Sequence, residues 1–250
     1  MEFERVADIK RLNFIIEILH KHLPSGAEVL DVGCGNGVIS RALGEKGFNV
    51  KGVDISEKAI EKARTLNRFP NVSFEVKSAE QLAADGQQYH AIICSEVLEH
   101  LQQPGQLLSV LHQSLHDEGV LIVTVPNGQG PRELFVTRPV IALQRKNNWV
   151  WKLLQGTKRL FGYKGTTVQS SAEDLTHIQF FTQSSLKKLA QRSRFRIEQF
   201  GKTNFVEDVF PFSLLTKRIK ALQKLDCWIA EFLPYRLTGG FLSVWKKNAV

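Results

Sequence analysis

The stretch Val29-Leu30-Asp31-Val32-Gly33-Cys34-Gly35-Asn36-Gly37 (VLDVGCGNG, residues 29–37) runs from apolar residues straight into three alternating glycines. The apolar run reads as a buried strand, and VISRALGEKG behind it reads as a helix closed by Gly47. The stretch therefore lies at a strand-to-helix turn. Glycines there let the backbone turn tightly and approach a ligand closely, and the helix N-terminus offers free N–H groups. Asp31 can accept hydrogen bonds from a cationic or hydroxyl-bearing group. Asp54 ends the next strand, in GVDIS, 17 residues beyond Gly37. An acid there is placed to hold ribose hydroxyls. A dinucleotide fingerprint calls for a further glycine at position 38, which is Val38.

The pattern continues outward from this turn. FNVKGVD reads as a strand, SEKAIEKARTLN as a helix capped by Ser56, and VSFEVK and YHAIICS as strands. PGQLLSVLHQSL is a helix with Pro104 in its first turn, and GVLIVTVPN is a fully buried strand. Over residues 27–126 strands and helices alternate, which predicts an α/β, doubly wound, parallel sheet. An amphipathic helix precedes it within residues 1–24, with Val6, Ile9, Leu12, Ile15, Ile16 and Leu19 at helical spacing, ended by Pro24. Residues 127–176 break the rhythm and read as an insertion over the C-terminal edge of the sheet, a lid or acceptor region. TQSSLKKLAQRS and RFRIEQFGKT then resume it as helix and strand. Residues 205–236 form an amphipathic insertion before a final strand, GGFLSVWKK, expected as an antiparallel partner at the sheet edge. The whole of residues 1–250 is expected to form a single domain around this sheet.

Composition narrows the function classes. The chain has 250 residues, 43% hydrophobic and 23% charged, ordinary for a globular protein. Its three cysteines, Cys34, Cys94 and Cys227, are far apart, which argues against a disulfide framework or a cysteine zinc site. No apolar run is long enough to span a membrane, and the N-terminus has no signal-like core, so a cytoplasmic protein is expected. The formal charge is +8. Much of it lies between Pro131 and Gly165, where eight bases face the single acid Glu133, with Phe135, Trp149, Trp151, Phe161 and Tyr163 interleaved. Such a patch suits an anionic partner: a phosphate, an acidic lipid headgroup or nucleic acid. A solvated basic face is the plainer reading.

CSEVLEHLQQP (residues 94–104) follows the fourth strand and packs Glu96, Glu99 and His100 into five positions. If the turn is helical they share one face. Two carboxylates and an imidazole on one face can bind a hard divalent ion, with His177 as a later partner. Equally, carboxylates at a helix start can simply cap N–H groups. His100 and His177 are the candidate catalytic bases. The other histidines, His20, His22, His90, His112 and His116, read as surface or packing residues.

VLDVGCGNG, GVDIS, SAEQL, ICSEVLEHLQQP and LHDEGVLIVTVPN fall in the order and spacing of the class I S-adenosylmethionine (SAM) dependent methyltransferases. The chain resembles most the group of ubiquinone-biosynthesis-type O-methyltransferases. The likeness covers residues 25–126 and returns at HIQFFTQSSLKKLAQRSRFRIEQF. It implies a Rossmann-like seven-stranded sheet of order 3-2-1-4-5-7-6 with the last strand antiparallel. It also implies cofactor roles. Asp31, Gly33, Cys34, Gly35 and the adjoining Gly37 would form the turn around the methionine part of SAM. Asp54 would hold the ribose, with Ile55 against the adenine. Ser78, where relatives often carry an acid, and Ala79 would lie at the adenine edge, and Ser95 beside the methyl group. A Glu-x-x-Glu-His pattern with a later histidine also resembles the metal site of RNA 2′-O-methyltransferases.

Three functions follow. The first is a SAM-dependent enzyme methylating the oxygen of a small anionic or lipid-linked, quinone-like acceptor. The 205–236 segment, apolar on one side and basic at its start, adds a peripheral contact with an anionic membrane, although such helices more often pack into a core. The second is an RNA 2′-O-methyltransferase with a divalent metal, though no nucleic-acid-binding signature accompanies the basic segment. The third is a non-catalytic SAM- or nucleotide-binding module. Acceptor and oligomeric state are not written in the sequence.

Overall fold

Strands that are buried on both faces are predominantly apolar, and four segments of this chain come near that condition. In the computed structural model, which describes residues 3–132, 134–135, 178–207, 209, 212–216 and 218–248, they form the centre of one sheet. The strands are β1 (Glu28–Val32), β2 (Asn49–Asp54), β3 (Val72–Val76), β4 (Tyr89–Ser95), β5 (Leu115–Pro126), β6 (Phe195–Lys202) and β7 (Gly240–Lys247). Their order is β3-β2-β1-β4-β5-β7-β6. The first five run parallel, and β7 is antiparallel to both β5 and β6. The expected order is thus observed. The last strand does not lie at an edge, however: it inserts between β5 and β6, which leaves β6 as the edge. Its sequence explains this, since Phe241, Leu242, Val244 and Trp245 are all buried, as a central strand requires.

Helices α1 (Val6–His22), α2 (Val38–Glu45), α3 (Glu57–Leu66), α4 (Ala79–Ala84), α5 (Pro104–Ser114) and α6 (Gln183–Arg192) cover the two faces. One core joins Leu12, Ile15 and Leu19 of α1 to Val29, Val50, Ile93 and Val244 of the sheet. The other joins Leu107, Leu108 and Leu111 of α5 and Leu186 of α6 to Leu30, Ile92, Leu121 and Trp245. The helix starts are locally encoded. Ser56 Oγ accepts from Ala59 N, and Ser78 and Thr182 each form a reciprocal capping box.

Among its described residues the 205–236 segment holds the helices α7 (Ser213–Thr216) and α8 (Lys220–Phe232). Lys10 of α1 ties α8 down through the Cys227 carbonyl at 3.3 Å and the Glu231 carboxylate at 2.5 Å. Among the described residues no helix is long and apolar enough to cross a membrane.

Trp245 is fully buried where both antiparallel pairings meet. Its Nε1–H donates to Ser243 Oγ at 2.8 Å, and its ring meets Phe195 edge-on. Trp245→Ala is expected to cost about 3–5 kcal/mol in urea unfolding, by loss of buried area and the cavity left behind.

Candidate active site

The turn after β1 is fastened to β2 by backbone alone. Gly33 N and Cys34 N both donate to the Val53 carbonyl, at 2.8 and 3.0 Å. Gly33, Gly35 and Gly37 all have positive φ, 68°, 55° and 78°. A Cβ on Gly33 would stand 2.4 Å from Val97 Cγ2, so conformation and space both demand glycine there. At Gly37 the reason is packing: a Cβ would meet the Phe74 ring at 2.4 Å. Gly33 is exposed and Gly35 half-buried, while Gly37 is buried beneath them.

Asp54 is held in a single orientation. Its Oδ2 accepts from Gly35 N at 2.9 Å and its Oδ1 from Ser56 N at 2.8 Å. Each oxygen keeps acceptor capacity for a ligand hydroxyl. Beside it Ile55 is 79% exposed, and Val76, paired in register with Asp54, is 42% exposed. Two exposed aliphatic side chains next to a fixed carboxylate make a slot suited to a flat apolar ring on a polyhydroxyl sugar. Ser78 uses its hydroxyl as the N-cap of α4, accepting from Gln81 N, and Ala79 opens that helix.

Asp31 is 2% exposed and accepts a hydrogen bond from Ser40 Oγ at 2.6 Å. Burial pushes its carboxyl up to about 7, the Ser40 bond opposes this, and the Asp54 charge adds to it. Cys34 turns its side chain into the core, and burial holds the thiol protonated. What it offers a ligand is backbone rather than sulfur.

The exit of β4 departs from the expected helical face. Glu96 has φ 58°, in the left-handed region, and only Leu98–His100 form a 3₁₀ turn. The strained residue is over-determined by its bonds. Glu96 N donates to Thr124 O at 2.9 Å, and its Oε1 accepts from Thr124 Oγ1 at 3.0 Å. Arg11 Nη1 of α1 stands 3.7 Å from the same oxygen, and Arg11 also pairs with Asp8. Ser95 shares the Thr124 hydroxyl at 2.9 Å. Ser95 and Thr124 are partners in the β4–β5 register, which is why the two strand ends are linked.

Glu99 goes the other way. It is 1% exposed, and among the described residues neither carboxylate oxygen has a hydrogen-bond partner. Burial raises its pKa well above the ordinary range, with the nearby Glu96 charge adding to the effect. The half-buried His100 approaches it, Nε2 to Oε1 at 3.7 Å. The Glu99 carbonyl accepts from both Ile178 N and Gln179 N, at 2.8 and 2.9 Å. His177, one residue before Ile178, lies outside the described residues. Among the described residues no cluster of three or more metal-capable side chains forms.

A cleft opens above these strand ends, lined by Arg5, Asp8, Arg11, Glu96, Arg132 and Asn204 among others. Neither Arg11 nor Thr124 is signalled by any motif. Arg11 is one charge on an ordinary amphipathic helix 85 positions from Glu96, and Thr124 is one hydroxyl in a buried strand.

A mixed sheet of this order, with its antiparallel β7 between β5 and β6, a glycine turn after β1 and a carboxylate closing β2, is the fold of the class I SAM-dependent methyltransferases. The chain belongs to the methyltransferase-domain family, whose profile matches residues 5–199. A ubiquinone biosynthesis O-methyltransferase of Rickettsia bellii is 33% identical over 120 residues, 47% of this chain and 50% of that one. The Pseudomonas aeruginosa protein of that name is 31% identical over 139 residues, 54% of this chain and 59% of that one. The match thus spans about half the length of these relatives. The solved structure of magnesium protoporphyrin IX methyltransferase from Synechocystis, with bound SAH, has the same fold. It covers 98% of this chain and 84% of its own, with a TM-score of 0.55 and 19% identity.

Two outcomes are expected of this geometry. Gly33→Ala should lower stability by about 1–2 kcal/mol from its left-handed φ alone, and further through the Val97 clash, as read by urea unfolding. Asp31 gives a pH signature. Its folded pKa of about 7 lies above the ordinary 3.8, so between those values the folded state holds a proton the unfolded chain has released. Stability contributed by this group is present below that window and lost as pH rises through it, by up to about 4 kcal/mol. Asp31→Asn should remove that fall, measured by unfolding at pH steps across the window.

Proposed function

We propose that the chain transfers a methyl group from SAM to an oxygen of a small acceptor, quinone-like or otherwise lipid-linked. The supporting observation for the cofactor is the fixed Asp54 carboxylate beside exposed Ile55 and Val76. For oxygen and a quinone-like acceptor it is the name carried by the relatives.

SAM, when bound, supplies a methyl group on a sulfonium, and its transfer depends mainly on alignment with the acceptor. In this reading Asp54 binds the ribose hydroxyls, and Ile55 and Val76 cover the adenine. Asp31 lies behind the turn, beneath the methionine end. The cleft beside Glu96 and Arg11 receives the acceptor. His100 takes the hydroxyl proton at Nδ1, its Nε2 being the nitrogen that faces Glu99. Calorimetry should show SAM binding, and Asp54→Ala should weaken it about tenfold or more. With catechol-type acceptors, SAH formation should follow, and His100→Ala should lower kcat about 100-fold or more with SAM affinity unchanged. Absence of SAM binding would refute the reading.

Dependence on a divalent metal is a second reading, favoured by the buried Glu99 carboxylate, which has no hydrogen-bond partner among the described residues. A cation is one way to satisfy such a group, with His100 and His177 as its other candidate ligands. Activity lost in EDTA and restored by Mg²⁺ supports it, and unchanged activity removes it.

A further inference from the structure

Helix α8 is inside out. A surface helix ordinarily turns its apolar stripe to the core and its polar residues to water. Here the inward face carries Gln223 at 3% exposure and Asp226 at 5%, beside the small Cys227 and Ala230. Both polar groups are used. Gln223 Oε1 accepts from Val6 N at 3.0 Å and its Nε2 donates to Thr216 O at 2.9 Å. The Asp226 carboxylate accepts from Phe205 N and Val206 N, each at 2.8 Å. The outward face carries Leu225 at 49%, Trp228 at 60% and Phe232 at 72% exposure. Their spacing of three and four residues makes one stripe. Trp228 and Phe232 already touch, ring centroids 4.9 Å apart. The residues leading into the helix add Phe212, Leu214, Leu215 and Ile219, all exposed.

Among the described residues, cations outnumber acids around this stripe. Lys224 stands one helical turn before Trp228 on the same side, and exposed Lys220 and Arg218 lie at the helix start. The two acids of α8 are spoken for, Asp226 by its backbone bonds and Glu231 by Lys10. An apolar stripe bordered by Lys220, Lys224 and Arg218, with the half-exposed Glu231 at its edge paired to Lys10, fits a surface that is apolar below and anionic above. A second copy of the chain would bring the same lysines against one another. We propose that the face of α8 formed by Leu225, Trp228 and Phe232, with Lys220 and Lys224, docks on an anionic lipid bilayer, the helix lying along its surface.

Vesicle co-sedimentation of the full chain tests this, using phosphatidylcholine vesicles with and without phosphatidylglycerol. The wild type should sediment with the anionic vesicles at low salt and not with phosphatidylcholine alone. The triple variant Leu225→Glu, Trp228→Glu, Phe232→Glu replaces only exposed side chains. It should bind vesicles about tenfold or more weaker, since each change removes apolar area from the bilayer and adds a repelled charge. Lys220→Glu with Lys224→Glu should lose the salt-sensitive part of binding. SAM binding should be unchanged in both variants, which separates loss of docking from loss of fold and from failure of the proposed activity. No sedimentation of the wild type overturns the proposal. So does binding by the triple variant equal to the wild type's, which would move the contact elsewhere on the chain. A wild-type dimer in light scattering that the triple variant dissolves, without vesicle binding, assigns the face to a second copy instead.

Discussion

The site depends on one constraint: the ends of β1, β2 and β4 must meet at backbone distance. The Val53 carbonyl draws in two successive N–H groups of the β1 turn, and Asp54 draws in a third, from Gly35. Val97, just beyond β4, fills the space a side chain on Gly33 would need. A turn held this way has no freedom to relax around a larger residue. The same contacts leave Gly33 and Gly35 toward the open side and fix a carboxylate beside them. A ligand bound there would cost little ordering, because the backbone bonds that make the fold have already set the geometry.

The second strand pair carries a different kind of control. Ser95, Thr124 and Glu96 form a chain of hydroxyl and carboxylate bonds across the ends of β4 and β5, and Arg11 joins it from α1. The N-terminal helix thus contributes both to the core, through Leu12, Ile15 and Leu19, and to the cleft through Arg11. A group reaching the cleft meets arginines already partly neutralised by Asp8, Glu96 and Glu207. Those ion pairs hold the arginine side chains in place more than they create a strong anion field.

Much of this was legible in the sequence because it is local. Strand and helix periods, the glycine turn, Ser56 as a cap and Asp54 at the end of β2 depend on neighbours within a few residues. The likeness to the methyltransferases supplied the place of β7 between β5 and β6, which the local pattern put at an edge. What escaped depends on contacts distant in sequence. The left-handed Glu96 is explained by Thr124, 28 positions away. Nothing in SEVLEH announces that Glu96 and Glu99 will turn to different surroundings. A single helical face was the natural reading, and a 3₁₀ turn that excludes Glu96 replaced it.

Helix α8 shows the limit of periodicity most clearly. The spacing of its apolar residues identifies an amphipathic helix but carries no sign for which face turns inward. That choice is made by bonding partners. The N–H groups of Val6, Phe205 and Val206 find their acceptors on the inner side in Gln223 and Asp226, and Gln223 also donates to the Thr216 carbonyl. Leaving several such backbone groups without partners would cost about 1–3 kcal/mol each. Exposing three apolar side chains forgoes about 1.5–3 kcal/mol each, a comparable sum. The balance is close enough that the outward stripe does not have to be a defect of packing. A helix that satisfies the polar ends around it and holds its apolar stripe outward gains the remaining stabilisation only when something apolar covers that stripe.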